Sequence, residues 1–120
     1  RSAAIMTRRI EFSAEAERDF ELIFDHLLES YLGFGEGVES ALDHAEARTL
    51  EIRRDAERIL IAPDRGEIHD DLLPGLRHLT IGRAIYWFDY NDASDVVRVL
   101  AVFFGGQDHI WQMLTRLLAD

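Results

Sequence analysis

The hydrophobic period of this chain changes near its middle, and this change constrains the fold more than any other feature of the sequence. Between residues 14 and 60, apolar residues recur every three to four positions, which is the spacing of amphipathic helices. Between residues 76 and 104, runs rich in β-branched and aromatic residues are separated by turn residues, a pattern typical of strands. The sequence therefore predicts a helical segment followed by a sheet.

Two helices joined by a glycine-rich turn explain the helical period. Ser13 is a preferred N-cap residue, and Glu15 and Glu17 follow it in the first turn, where the helix dipole favours acids. The first apolar stripe ends at GFGEG, residues 33–37, and the second ends at APDRG, residues 62–66. Because the link between them is short, we expect an antiparallel helical hairpin.

The first helix has one apolar face and one acidic face. The apolar residues follow helical spacing: Ala16, Phe20, Ile23, Phe24, Leu27, Leu28, Tyr31 and Leu32. The acids avoid that stripe and are expected to face solvent: Glu17, Asp19, Glu21, Asp25 and Glu29. We therefore expect this helix to bury one face against the sheet.

Strand signals lie on both sides of the helical hairpin. Residues 8–13 alternate polar and apolar and predict a short first strand. Residues 76–81, 84–90 and 96–104 predict an antiparallel meander whose last strand is covered on both faces. A final amphipathic helix follows, with Asp108 as its cap. The predicted order is β-α-α-β-β-β-α, an α+β domain in which the helices pack on a small antiparallel sheet.

A single domain accounts for the chain from residue 7 to residue 120, which is long enough to bury a hydrophobic core. Residues 1–6 are expected to be a tag or a disordered start. No apolar run approaches the roughly 20 residues of a membrane-spanning helix, and no signal-peptide pattern precedes the first strand. Cysteine is absent, which excludes disulfides and thiolate metal sites. We therefore expect a cytoplasmic protein without membrane contacts.

The charge balance limits the kinds of partner. The chain has 23 acidic and 13 basic residues, a formal net charge of −10. Residues 1–62 carry 14 acids and 8 arginines, and residues 63–120 carry 9 acids and 5 arginines, so neither half is basic. Because phosphate neutralisation supplies most nonspecific affinity for nucleic acids, strong general binding to DNA or RNA is not expected.

Short motifs in a fixed order resemble those of one family. They are SAEAERD at residues 13–19, PGLR at 74–77, GR at 82–83 and IY at 85–86. With the element order, they resemble the ParE branch of the RelE/ParE toxin superfamily, from Thr7 to about Gln112. The ordered set carries the resemblance, since no single motif is specific.

The resemblance implies the toxin of a type II toxin–antitoxin system, of the kind associated with plasmid stabilisation. ParE-type members poison DNA gyrase by binding, and RelE-type members cut messenger RNA on the ribosome. The implied partner is a ParD-like antitoxin whose C-terminal segment wraps the toxin. Our first hypothesis is a gyrase inhibitor without a cofactor. The alternatives are a metal-independent mRNA endonuclease and a non-toxic member that acts only as a binding module.

One segment departs from the family pattern. ParE relatives commonly end their last strand with a His-Gly-Arg-Arg-Asp-like sequence, whereas residues 104–108 here read FGGQD. The segment has lost both arginines and the histidine. The missing arginines count against an RNA-cleaving enzyme, and the departure also keeps the non-toxic alternative open.

Candidate residues for RNA cleavage are those able to bind a phosphate or to move a proton. Arg77 and Arg83 suit the phosphate and would lie close together if they flanked the same turn. Tyr86 and His109 suit the proton transfers. His78 directly follows Arg77, so it points to the opposite face of the sheet and would not cooperate with that arginine.

Two further sets of residues are candidates for contacts with proteins. The target-binding candidates are Arg77, Arg83, Asp108 and Trp111. The antitoxin-binding candidates lie on the first helix: Phe20, Phe24, Leu27 and Tyr31. Apolar surface without its antitoxin favours self-association, so a homodimer is a further expectation.

Histidines and carboxylates occur together in EIHDD, residues 67–71, and again at residues 108–109. Both side-chain types are common metal ligands. Neither spacing fixes a coordination geometry, so the sequence gives no reason to expect a metal site.

Overall fold

The computed structural model describes residues 8–105 and 108–119 of the chain. The strands in these ranges are β1 Arg9–Phe12, β2 Glu67–Ile68, β3 Arg77–Ile81, β4 Ala84–Asn91 and β5 Val96–Phe104. The helices are α1 Ala14–Gly33, α2 Val38–Asp55 and α3 His109–Ala119, with a 3-10 helix at Ala56–Ile61. The expectations for residues 1–6, and for a domain beginning at Thr7, lie outside the described residues.

The strands form one sheet in the order β1-β5-β4-β3-β2. β3, β4 and β5 are an antiparallel meander, and the α+β class is confirmed. The two-residue strand β2 extends the β3 edge and has no counterpart in the predicted order. β1 pairs with β5 in parallel, so the sheet is mixed rather than antiparallel. Parallel neighbours require a long crossover, which the helical hairpin and the first part of the meander supply here.

Ser13 caps α1, as the sequence predicts. Its backbone is extended at φ −68° and ψ 165°, and its Oγ accepts a hydrogen bond from the Ala16 N–H at 3.1 Å. α1 and α2 pack against each other as the expected hairpin. The second predicted helix stays α-helical to Asp55 and then tightens into the 3-10 helix. No helix of the described residues has both the length and the apolar character to cross a membrane.

Side chains of β4 alternate between two cores. Ala84, Tyr86 and Phe88 face the helical hairpin, whereas Ile85 and Trp87 face the side that carries α3. Successive side chains of a strand point to opposite faces, and all five of these are buried. The molecule therefore has three layers: the helical hairpin, the sheet and α3.

A bulge in β5 shifts its pairing with β4. Val99 pairs with Phe88 and Ala101 with Trp87, so Leu100 is the extra residue. β1 pairs only with the first part of β5, from Val96 to Val99. The edge of β5 beyond the bulge is covered by a side chain of α1 instead of a strand.

That side chain is Asp19. Its Oδ2 accepts the Val102 backbone N–H at 2.9 Å, and Arg116 of α3 donates to both carboxylate oxygens at 2.8 and 2.6 Å. Asp19 is 3% exposed, so the expectation that it faces solvent is wrong. The physical reason is that a buried strand edge needs an acceptor for its free N–H groups.

Candidate functional site

Arg77 and Arg83 lie at opposite ends of the β3–β4 hairpin. Arg77 is the first residue of β3 and pairs with Phe88, whereas Arg83 lies in the turn between Ile81 and Ala84. A strand rises about 3.3 Å per residue, so roughly 15–20 Å of hairpin separates the two arginines. They do not flank one turn, and they form no common phosphate site in this arrangement.

Each arginine has its own surroundings. Arg77 is half-buried, and its Nη1 donates to the Asp64 carbonyl oxygen at 3.0 Å, which ties β3 to the loop before β2. Arg83 is exposed, and its Cζ lies 5.1 Å from the centroid of the Phe104 ring. Arg83 is therefore accessible to a partner, whereas Arg77 holds a loop in place.

Tyr86 is a core residue under the helical hairpin. Its side chain is fully buried, and its hydroxyl donates to the Ile52 carbonyl oxygen at 2.6 Å. Burial raises the pKa of Tyr86 far above its ordinary value, and the nearby Asp55 adds to the rise. Because this hydroxyl faces a helix rather than solvent, we leave Tyr86 out of the candidate site.

Three histidines that are distant in the sequence gather on the sheet face that carries α3. His69 Nε2 lies 2.7 Å from His78 Nδ1, and the His78 ring lies 4.6 Å from the ring of His109. The Trp87 ring lies 4.7 Å from the His69 ring and 5.0 Å from the His78 ring. Glu67 Oε2 lies 3.7 Å from His69 Nε2. We call these five residues the histidine cluster.

Two imidazoles of the histidine cluster have lowered pKa values. Burial lowers the pKa of His78, and the nearby His109 and His69 lower it further. Burial also lowers the pKa of His109, with a smaller effect of the same sign from His69. Two buried nitrogens, Trp87 Nε1 and His109 Nδ1, have no hydrogen-bond partner among the described residues. Burial therefore favours the neutral form of His78 and His109, and the cluster also has unmet hydrogen-bonding capacity.

Sequence reasoning missed the histidine cluster because its members come from separate elements. Glu67 is in β2, His78 is in β3, and His109 begins α3. The β2–β3 pairing sets Glu67 directly opposite His78, and β2 was not predicted. One sequence feature could have indicated that His69 and His78 would meet. The pair at residues 74–75 forms a turn that folds the chain after His69 back towards His78.

The helix α3 is apolar on two faces. Met113 and Leu117 pack against the core on this side of the sheet. Trp111 and Leu118 point outward and are 67% and 76% exposed. Arg116 is the one formally charged residue of this helix. An isolated surface helix has one apolar face, so the second apolar face marks a surface that a partner would cover.

Asp108, another target-binding candidate, directly precedes α3. Its carbonyl oxygen accepts the Gln112 N–H at 2.9 Å, which places Asp108 at the N-cap position with an unusual φ of 59°. Asp108 and Trp111 therefore lie on one turn at the start of α3. Arg77 and Arg83 belong to the β3–β4 hairpin, so the four target-binding candidates are divided between these two places.

The antitoxin-binding candidates divide between the core and the surface. Phe20 and Leu27 are each 6% exposed and belong to the core beneath the helical hairpin. Phe24 and Tyr31 are half-buried, and the Tyr31 ring stacks on the His44 ring at 3.7 Å. Phe24 and Tyr31 therefore present most of the surface of this set, and Phe20 adds a small part of it.

A groove of about 530 Å³ lies between α1 and α2, and we call it the hairpin groove. Its lining is apolar at Phe20, Phe24, Ala47 and Leu50, negatively charged at Asp43 and Glu46, and positively charged at Arg53. Leu50 is 45% exposed, so the apolar floor is open to solvent. A segment that combines apolar and basic side chains would match this surface.

Comparison with known proteins identifies the fold. No protein-family model and no curated protein sequence matches the chain. A chain of the chromosomal ParDE TA system from P. aeruginosa is similar in structure, with a TM-score of 0.56 and 19% identity over 83% of this chain and 98% of that one. The isolated E. coli RelE toxin is also similar, with a TM-score of 0.51 and 10% identity over 92% of this chain and 98% of that one. The chain therefore has the RelE/ParE fold, which confirms the expectation from its motifs.

Proposed function

We propose that this chain is the toxin of a type II toxin–antitoxin system, that it acts by binding DNA gyrase, and that a cognate antitoxin neutralises it. The outward apolar face of α3, on a RelE/ParE fold, is the observation that carries this proposal. A toxin that acts by binding needs an exposed surface of this kind rather than a set of positioned catalytic groups.

The α3 surface is suited to a protein target. Trp111 and Leu118 are seven positions apart, so they lie on one side of the helix two turns from each other. Tryptophan is among the residues that most often dominate interface energetics. We assign this face to gyrase, with Asp108 beside Trp111 at its near end and exposed Arg83 as a separate contact.

The hairpin groove is suited to the antitoxin. The acids Asp43 and Glu46 favour a basic segment, because Arg53 in the lining is already paired with Glu17. Phe24 and Leu50 offer apolar area for that segment to bury. A disordered C-terminal segment that folds as it binds would use such a groove. The two partners would then occupy different surfaces of the toxin, the antitoxin on the helical hairpin and the target on α3.

An mRNA endonuclease activity draws support from the likeness to the RelE toxin. The groups required for cleavage lie apart, however. Arg77 and Arg83 are at opposite ends of the β3–β4 hairpin. Tyr86 is buried on the face of the sheet that the helical hairpin covers, and His109 is on the opposite face. An RNA-cleaving site needs these groups within hydrogen-bond reach of one phosphate. We therefore prefer a toxin that acts by binding.

The proposal is tested by the affinity of the purified chain for purified gyrase. We expect Trp111→Ala to weaken binding by at least about 30-fold, the factor that corresponds to the loss of an interface hot spot. Phe34→Ala is the matched control, because Phe34 is an aromatic residue that is 83% exposed but lies at the far end of α1. Both substitutions remove exposed rings, so the fold should be retained in both variants.

If the two variants bound gyrase equally well, Trp111 would make no important contact and the α3 face would not be the gyrase-binding surface. No binding by the wild-type chain at a large excess would contradict the proposed target. A cell-free translation reaction run beside it, with the messenger RNA followed on a gel, would then distinguish the endonuclease from a non-toxic binding module.

A further inference from the structure

We propose that Glu67, His69 and His78 form a binding site for a divalent transition-metal ion, with Zn²⁺ the best-matched ion. The site lies where β2 pairs with β3, on the face of the sheet that carries α3. Its three ligands belong to neither of the surfaces assigned to protein partners, so this inference does not depend on the proposed function.

The distances between the donor atoms fit a single ion. One ligand atom from each of the three side chains lies within 4.8 Å of the other two. In a tetrahedral zinc site with ligands at about 2.0–2.1 Å, donor atoms are about 3.3 Å apart. His69 Nε2 and His78 Nδ1 are 2.7 Å apart, so they need to separate by roughly half an ångström around an ion. Glu67 is exposed and can close the remaining distance by rotating its side chain.

The surroundings of the three donors have the character of a metal site. His69 is 8% exposed and Trp87 is fully buried, whereas Glu67 is at the surface. The site is therefore closed on the side of His69 and Trp87 and open to solvent on the side of Glu67. Enclosed histidine nitrogens with an entry path are what a metal ion requires. The strand pairing of Glu67 with His78 fixes two of the donors relative to each other.

A second observation comes from two polar atoms that lack partners. Trp87 Nε1 and His109 Nδ1 are buried and have no hydrogen-bond partner among the described residues. Both rings lie beside a proposed ligand, with His109 4.6 Å from the His78 ring and Trp87 5.0 Å from it. Buried polar atoms are rarely left unpaired. An ion that carries a water molecule in its remaining position brings a new hydrogen-bonding group to this place.

The donor set selects the kind of metal. Two imidazoles and one carboxylate suit Zn²⁺ and related ions such as Co²⁺ and Ni²⁺, whereas Ca²⁺ and Mg²⁺ prefer oxygen donors alone. Three protein ligands leave one coordination position open. His109 is the further histidine closest to that position, because its ring contacts that of His78. Binding would link the β2–β3 edge of the sheet to the start of α3.

The experiment begins with the full chain stripped of metal by a chelator and then dialysed. Zn²⁺ is titrated into it by calorimetry, and Co²⁺ is titrated in parallel by visible absorption, which reports tetrahedral coordination. We expect one equivalent to bind with a Kd in the micromolar range or tighter, and the midpoint of thermal unfolding to rise, because an ion that binds only the folded state stabilises it.

Variants identify the ligands. Glu67→Gln and His78→Gln should each weaken Zn²⁺ binding at least about tenfold, since each removes one ligand of three. His26→Gln is the matched control, because His26 is an exposed histidine on α1 outside the histidine cluster. Glu67 is exposed, so Glu67→Gln tests the site even if a substitution at a histidine affects folding.

Two results would overturn the inference. One is a wild-type chain that takes up no Zn²⁺ or Co²⁺ in the micromolar range. The other is binding that is equally strong in Glu67→Gln, His78→Gln and His26→Gln, which would place the ion elsewhere. A selective loss in the two cluster variants, with the control unchanged, would establish the site.

Discussion

Asp19 joins three layers of the molecule through one side chain. It lies on α1, accepts the Val102 N–H of β5 and pairs with Arg116 of α3. The sequence pattern placed Asp19 with the exposed acids, although it comes three residues after Ala16 and four before Ile23, both on the buried face. The partner could not be predicted, because Arg116 is 97 residues away and helical periodicity carries only local information.

Removing the Asp19 carboxylate should destabilise the fold strongly. Asp19→Ala leaves the Val102 N–H without its acceptor and Arg116 without its counter-charge, and breaking such a partly buried pair costs about 3–5 kcal/mol. Urea unfolding measures the loss. Glu21→Ala, which removes an exposed acid of the same helix, should change the free energy of unfolding by less than about 0.5 kcal/mol. Similar losses in the two variants would contradict the assigned role of Asp19.

Asp89 gives a pH-dependent prediction. Burial raises the pKa of its carboxyl, and Arg98, its cross-strand neighbour, only partly opposes the rise. A carboxyl whose folded-state pKa is raised favours folding in its protonated form, and this contribution is lost as the pH rises through that pKa. Asp89→Asn, which is neutral at all pH values, should therefore be more stable than the wild type at pH 7.

The gain from Asp89→Asn should disappear below the ordinary pKa of aspartate, where the wild-type carboxyl is protonated in both states. Thermal unfolding at a series of pH values measures this difference. Asp92→Asn provides the comparison, because Asp92 is an exposed acid in the next turn. A stabilisation by Asp89→Asn that persists unchanged at low pH would argue against burial of the ionised carboxylate as its cause.

Among the elements, α1 and β5 are tied together at Ser13. The Ser13 Oγ accepts the Ala16 N–H and donates to the Leu100 carbonyl oxygen, both at 3.1 Å, and the Ser13 N–H donates to the Val99 carbonyl oxygen at 2.9 Å. Leu100 is the extra residue of the β5 bulge. One hydroxyl therefore fixes both the start of the helix and the irregular part of the strand.

Ser13→Ala should cost about 1–2 kcal/mol of stability, at the upper end for loss of an N-cap, because the bulge carbonyl loses its donor as well. The free energy of unfolding in urea is the measurement. Ser30→Ala is the control, since the Ser30 hydroxyl donates only to the His26 carbonyl of its own helix and alanine favours helix. If both variants unfold at the same urea concentration, the link between α1 and β5 contributes little.

The sequence predicted the bounds of an element correctly where neighbouring residues alone determine its hydrophobic pattern. The predicted meander strands at 76–81, 84–90 and 96–104 agree within about one residue with β3, β4 and β5. The short strand β2 was missed because two residues carry no periodicity. The parallel pairing of β1 with β5 was missed because it joins residues some 87 positions apart, and side-chain periodicity contains no information about such a pairing.

Over the whole molecule, the sequence predicted the architecture better than the sites. The ordered motifs and the change of period led to the RelE/ParE fold, which the structure and its neighbours confirm. The separation of Arg77 from Arg83 was already implied by the predicted strand 76–81, which places them at its two ends. The assembly of the histidine cluster, in contrast, depends on strand register and on the position of α3. These are properties of the packed chain, so no short stretch of sequence contains them.

The two proposed binding surfaces lie on opposite sides of the sheet. The helical hairpin covers one face and carries the hairpin groove, and α3 covers the other face and carries an apolar surface. This separation would let an antitoxin hold the toxin through the hairpin groove while contacts on α3 determine the target. A net charge of −10 is compatible with the proposed function, because the proposed contact is with a protein rather than with DNA.

The most direct test is a gyrase supercoiling reaction into which the purified chain is titrated, with plasmid topology followed on a gel. We predict that supercoiling is lost and cleaved DNA accumulates, that Trp111→Ala requires a much higher concentration for the same effect, and that Phe34→Ala behaves as the wild type. Undiminished supercoiling at a large molar excess of the wild-type chain, with no cleaved DNA, would contradict the central claim.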